Sequence, residues 1–194
     1  MDPIERIDRA TAFAGGNVNR VHRDDLGRPT PCTEFDVRTL LNHMIGNMGM
    51  AASAARGEKA ALPEGDQFGS DPGAAYEERR QELLGAVRGA GALERDWDLP
   101  FGTLDGSMMA TIVFMEHLTH GWDVAKATGQ DTTMPAGLVA ECMALAVPMD
   151  DMLRMPGVCG PARPRRRAPP GRVRAEGGVR HGLVLPDAFG RGRG

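Results

Sequence analysis

Glu116-His117-Leu118-Thr119-His120 is the segment richest in groups that can do chemistry. Glu116 and His120 are four residues apart, so on a helix they stack one turn above the other on the same face. That spacing lets a carboxylate oxygen and an imidazole nitrogen reach one cation. Their stripe also carries Met109, Val113 and Asp123. A carboxylate and an imidazole are costly to bury on an apolar stripe without partners, and a divalent metal supplies one. The other candidate is His43, in Leu40-Leu41-Asn42-His43-Met44. It lies about 60° round the helix from Leu40, at the edge of the apolar arc. A side chain there can point into a crevice between helices, where bundles hold their cofactors. His43, Glu116 and His120 make a His₂-carboxylate set with a position left open, the pattern of a catalytic rather than a structural zinc site.

Plainer roles compete with this one. A Glu–His pair at i, i+4 also occurs as a surface contact worth roughly a few tenths of a kcal/mol. A histidine beside an apolar face is often a hydrogen-bonded core residue. His117 lies about 100° round the helix from Glu116; that disfavours it for the same ion but leaves it as the competitor of Glu116. Asp123 is three residues after His120. It suits the second N–H of a ligand histidine, fixing its tautomer, and equally suits a surface or capping role. Trp122 reads as a packing residue. Cys32 has no nearby base in sequence to make it a nucleophile.

These residues need helices to place them. Asp2-Pro3 opens a first helix, expected over 3–24, with Ile4, Ile7, Phe13, Val18 and Val21 at roughly helical spacing. Gly15-Gly16 weakens its middle. The breaker-rich stretch from Leu26 to Cys32 is a loop. A second helix follows, capped by Thr33 or Asp36, with Val37, Leu40, Leu41, Met44, Ile45 and Met48 on one broad face, fading near Arg56-Gly57. Residues 61–70 read as a loop. Asp71-Pro72 opens the third helix, with Tyr76, Leu83, Leu84 and Val87 buried and Glu77 to Arg80 solvated. Trp97, Leu99, Phe101 and Leu104 partly alternate, which allows a short hairpin before Ser107. A fourth helix is expected over 108–128, capped by Ser107, apolar on nearly every side before Glu116 and therefore buried. Gly129 ends it. A fifth is expected from about Pro135 to Met152. With no convincing sheet pattern, the expected fold class is all-α, a helical bundle with antiparallel neighbours.

Composition bounds the function. The chain has 194 residues and a mass of 20.8 kDa, with 41% hydrophobic, 25% charged and only 5% aromatic residues. That suits one domain with a core of Leu, Val, Ala and Met. No apolar run approaches the ~20 residues that span a bilayer, and the charged start MDPIERIDRATAF does not resemble a secretory signal. Cys32, Cys142 and Cys159 make neither a disulfide framework nor a zinc ribbon. The expected location is the cytoplasm. The net charge of −3 is uneven: residues 161–194 hold nine Arg against Glu176 and Asp187, leaving 14 basic and 24 acidic residues in 1–160. An acidic body speaks against nucleic-acid and membrane partners. The Arg/Pro/Gly-rich ending cannot build a core, and with Phe189 as its only aromatic it lacks the stacking groups of a nucleic-acid arm. The expected division is a bundle over 1–160 and a tail over 161–194 outside the core, either solvated or the product of a reading-frame change near Ala162.

Two segments carry a resemblance. The run from Thr30-Pro31-Cys32 through Phe35, Val37 and Leu40 to His43 resembles the pattern TPC-x-x-W-x-V-x-x-L-x-x-H, with Phe35 where tryptophan is usual. Leu99-Pro100-Phe101-Gly102 and Glu116-x-x-x-His120-Gly121-Trp122-Asp123-x-Ala125-x-Ala127-Thr128-Gly129 are similar to the same family. It is the actinobacterial group sharing the metal-binding domain of mycothiol-dependent maleylpyruvate isomerase, within the DinB-like bundles. The resemblance covers roughly 4–160. It implies an up-down four-helix bundle with an additional short helix. It also implies a divalent metal, usually zinc, held by His43, Glu116 and His120. The implied activity is a transferase or isomerase joining a small thiol such as mycothiol to an electrophilic substrate, with a homodimer as a possible assembly. A metal-dependent hydrolase, or a binding module without turnover, is the alternative. The isomerase's second domain has no counterpart in these residues, and the ending after Gly160 departs from the family's.

Overall fold

Four aspartates start four helices. The Asp2 carboxylate accepts from Glu5 N at 2.9 Å, Asp36 from Thr39 N at 2.8 Å, Asp71 from Ala74 N at 2.9 Å and Asp105 from Met108 N at 2.9 Å. Each satisfies a donor that the first turn leaves open, worth about 1 kcal/mol. In the computed structural model, which describes residues 1–32 and 35–149, the helices they start are α1 (Pro3–Val18), α2 (Val37–Ala55), α3 (Pro72–Val87) and α4 (Gly106–Thr128). A fifth, α5 (Ala136–Ala146), runs into a 3-10 turn over Val147–Met149. Between α3 and α4, β1 (Asp96–Leu99) and β2 (Gly102–Asp105) form an antiparallel hairpin with Trp97 opposite Leu104. The described residues are thus mostly helical, compatible with a helical bundle, but the hairpin means the chain is not purely α.

Three boundaries differ from the sequence expectation. α1 stops at Val18 instead of continuing to residue 24. Arg20 N and Val21 N turn back onto Asn17 O and Val18 O, and Asn17 sends its side-chain amide to Gly121 O at 3.0 Å. Asp105, not Ser107, caps α4: it ends β2, and its Oδ1 takes both the Met108 N–H and the Ser107 hydroxyl. α5 is shorter than expected; the expected end at Met152, the 1–160 boundary, Cys159 and the 161–194 tail lie outside the described residues, as do Thr33 and Glu34. α4 ends as expected at Gly129, in the left-handed conformation at φ 75°. Arg80, expected to be solvated, is mostly covered. It reaches Asp8 and Thr11 of α1 and so ties α3 to α1.

The core is shared by four helices. α1 packs most extensively on α4, α2 lies against α3, and α1–α3 and α2–α4 contacts complete the set. α1 contributes Ile7, Ala10, Ala14 and Val18 to this core and α4 contributes Phe114, Leu118, Val124 and Ala125, all essentially inaccessible. Leu40, Leu41, Met44, Ile45 and Met48 fill the α2 side. Small residues set the α1–α4 spacing. A Cβ added to Gly121 would stand 2.9 Å from both Cα and Cβ of Ala14. Backbone cannot yield there as a flexible side-chain tip would, so Gly121→Ala should destabilise the fold by about 1–3 kcal/mol, the usual cost of overpacking. Urea unfolding followed by circular dichroism measures it; an unchanged midpoint would show that α1 moves aside freely.

Candidate metal centre

α2 and α4 each contribute one pair of side chains separated by a helical turn. On α2 these are His43 and Asn47; on α4 they are Glu116 and His120. Because i and i+4 share a face, the pairs meet where the helices pack. The ligand-type atoms of His43, Glu116 and His120 all lie within 4.8 Å of one another. It is the one such cluster of three or more His, Cys, Asp or Glu among the described residues. His43 Nε2 is 2.6 Å from Glu116 Oε1, and the imidazoles of His43 and His120 stand edge to face with centroids 5.3 Å apart. Glu116 is 2% and His120 0% exposed, while His43 is partly covered.

Asp123 lies against His120, its Oδ2 3.0 Å from His120 Nδ1. A carboxylate accepts, so Nδ1 carries the proton and Nε2 keeps the lone pair that a cation needs. Both residues are almost fully buried, which leaves a surface role for Asp123 without support. Trp122 is buried as a packing residue. Phe35 lies with its ring 5.2 Å from that of His43, tilted by 44°, as an apolar wall beside the cluster.

The donor set fits a divalent cation. Burial pushes the Glu116 carboxyl up; the charge of His43, its hydrogen bond and the neighbouring His120 and His117 outweigh that and hold it at about 2. It is therefore an anion at neutral pH. Its side-chain partners are the His43 imidazole and the Asn47 amide, neither of them a fixed positive charge. Two imidazole nitrogens and one carboxylate oxygen around such a buried charge are a borderline-soft set of the kind zinc takes.

His117 does not compete for this position. Its Nδ1 is 3.0 Å from the Tyr76 hydroxyl, and both rings are buried. Burial pulls the His117 imidazole down to about 4, opposed in part by Glu116, so it is neutral and accepts a hydrogen bond from the Tyr76 hydroxyl. Gly15 makes room for this pair, since a Cβ there would stand 3.2 Å from Tyr76 Cε1. Burial raises the Tyr76 hydroxyl far above its ordinary value of 10.0. Tyr76 is the only tyrosine in the chain, so an alkaline titration of phenolate absorbance reads it alone. No phenolate should form near pH 10 in the folded protein. The folded value is the raised one, so stability is full below the unfolded value and falls as pH climbs above it. Phenolate appearing around pH 10 with the fold intact would contradict the buried bond.

Sequence reasoning missed two participants. Asn47 offered a faint signal, a polar residue one turn after His43 on an apolar face. The Tyr76–His117 bond offered none, because nothing local in sequence pairs residues across two helices. Cys32 is buried and Cys142 half-buried in α5, with burial raising the Cys142 thiol.

Residues 7–125 match the family described as the mycothiol maleylpyruvate isomerase N-terminal domain, a span that holds His43, Glu116, His120 and Asp123. Two uncharacterized proteins of Mycobacterium tuberculosis, MT0763 of strain CDC 1551 / Oshkosh and Rv0738 of strain ATCC 25618 / H37Rv, are each 31% identical over 148 residues. The alignment covers 75% of this chain and 78% of theirs. No solved structure matches the sequence significantly. No helix among the described residues is long and apolar enough to cross a membrane. By its match over residues 7–125, the chain belongs to the mycothiol maleylpyruvate isomerase N-terminal domain family.

Proposed function

We propose that the protein is a divalent-metal-dependent enzyme, a transferase or isomerase that uses a small thiol of the mycothiol type, with zinc held by His43, Glu116 and His120. The observation that carries this reading is the convergence of those three side chains, with Asp123 behind His120. When bound, the cation supplies the Lewis acidity that keeps a small thiol as thiolate, its reactive form. The chain's residues do the rest. Asp123 holds His120 in one tautomer and one orientation. Glu116 would contribute one negative charge to a bound dication, and Asp123 places a second carboxylate behind His120. Phe35 gives an apolar flank beside His43.

The fold reading that goes with this is the up-down four-helix bundle, supported by the four-way packing of α1, α2, α3 and α4. A reduced cytoplasm suits a thiol substrate. A small thiol and an electrophile are the partners; the acidic composition favours neither nucleic acid nor membrane.

Metal analysis after purification without chelators tests the first part. Calorimetric titration of the metal-loaded protein with mycothiol or a comparable thiol tests the second, and an electrophile-conjugation screen tests turnover. Metal, thiol affinity and conjugation together support the reading. Metal without thiol affinity turns it towards hydrolysis or a binding role. A protein that takes up no divalent metal ends it.

A further inference from the structure

Asn47 is buried at 8% exposure on α2, between Met44, Ile45 and Met48, all buried. Asparagine is a poor helix former because its side chain competes for backbone hydrogen bonds, and an amide in an apolar face must find partners. Among the described residues it finds one at the cluster: its Nδ2 donates to Glu116 Oε1 at 3.1 Å and lies 3.3 Å from His43 Nε2, whose own proton faces the same oxygen. The chemistry fixes which end of the amide faces the carboxylate. An ionised carboxylate only accepts, so the group beside it is the NH₂. The bond to Glu116 crosses from α2 to α4, whereas the contact with His43 stays within one helix.

Glu116 Oε1 thus serves two neighbours. The His43 ring N–H donates at 2.6 Å and the Asn47 amide at 3.1 Å. A carboxylate oxygen has two lone pairs. A bound cation would take the place of the His43 proton, and the Asn47 N–H would hold the other lone pair. We infer that Asn47 is a positioning residue for the metal site: its amide pins Glu116 Oε1 across the helix interface, so that the carboxylate offers one oriented oxygen to the cation. The inference rests on the metal-binding reading above. It adds a residue on α2 that controls how a ligand on α4 is presented. Groups one step out from a metal commonly change its affinity by about 10–100-fold.

The test uses the full chain as wild type, Asn47→Ala and Asn47→Leu. Leucine keeps the branched four-atom outline of asparagine with bulkier tips and suits the apolar neighbours Met44, Ile45 and Met48, while Glu116 keeps the His43 N–H as a partner. Zinc affinity is measured by competition with a chromophoric chelator, the Co²⁺-loaded visible spectrum reports ligand geometry, and the metal-free melt reports folding. The expected result is zinc affinity lowered by about 10–100-fold in both variants. The Co²⁺ spectrum should be altered, and the metal-free melt of Asn47→Leu should remain cooperative, with the loss of zinc affinity larger than any loss of stability. Zinc affinity within about twofold of wild type in Asn47→Leu, with an unchanged Co²⁺ spectrum, overturns the inference while leaving the metal site standing. Affinity that falls only in step with the metal-free melting temperature in both variants also overturns it, since that is a packing effect. A wild-type protein that binds neither Zn²⁺ nor Co²⁺ removes the metal reading and this inference together.

Discussion

His120→Ala should lower zinc affinity by more than ~100-fold, beyond what loss of a supporting residue produces, while the metal-free protein keeps its fold. His120 is fully buried and contributes one of three candidate ligands. Removing it leaves one nitrogen and one carboxylate oxygen, too few to hold a cation against water. Asp123→Asn should do less, about 10–100-fold. The amide can still accept from His120 Nδ1 through its oxygen but no longer brings the negative charge that makes the imidazole a stronger donor. The two variants therefore form a graded series. Competition titration against a chelator measures both, and thiol conjugation by His120→Ala should be lost with the metal. Equal zinc affinity in wild type and His120→Ala would exclude His120 as a ligand.

Trp97→Ala should cost about 3–5 kcal/mol of stability. Trp97 is 0% exposed on β1, and its indole N–H donates to Ala92 O at 2.8 Å. A Cβ on Gly106, the first residue of α4, would stand 2.7 Å from the indole nitrogen. The ring is thus wedged under the start of the helix that carries Glu116 and His120. Truncation opens a cavity and leaves a buried carbonyl without its donor. Domains of this size hold about 5–15 kcal/mol in total, and each kcal/mol moves the melting temperature by about 2–4 °C. A drop of roughly 6–20 °C is expected in a thermal melt. A drop of only a degree or two would mean that the hairpin is dispensable to the bundle.

The sequence made some of this legible for reasons that are local. Asp36, Asp71 and Gly129 signal helix ends through chemistry confined to one turn, and the chain follows them. Glu116 and His120 share a face because the helix period alone requires it, and Asp123 reaches His120 for the same reason. His43 is different: its place depends on how α2 lies on α4, which the apolar arc of α2 suggested and the family resemblance strengthened. What sequence hid is what depends on competition between neighbours. Ser107 reads as the cap of the fourth helix from sequence, but the strand running directly into the helix brings Asp105 to that place. The periodic Val21 suggested a longer α1, yet Asn17 and the turn after Val18 end it first. Asn47 went unread because its partner Glu116 lies 69 residues away.

The division of the cluster between α2 and α4 has a thermodynamic consequence. Neither helix alone carries all three candidate ligands, so the unfolded chain offers a cation no comparable site, and on the proposed reading binding and folding would be linked equilibria. Free metal at 100 times its dissociation constant adds about 2.7 kcal/mol to the apparent stability, of the same order as losing a buried aromatic ring costs. The melting temperature of this protein is then a property of the solution as much as of the chain. Two preparations of the same sequence, one dialysed against a chelator and one not, should unfold at different temperatures, and the interval between them measures the occupancy of the site.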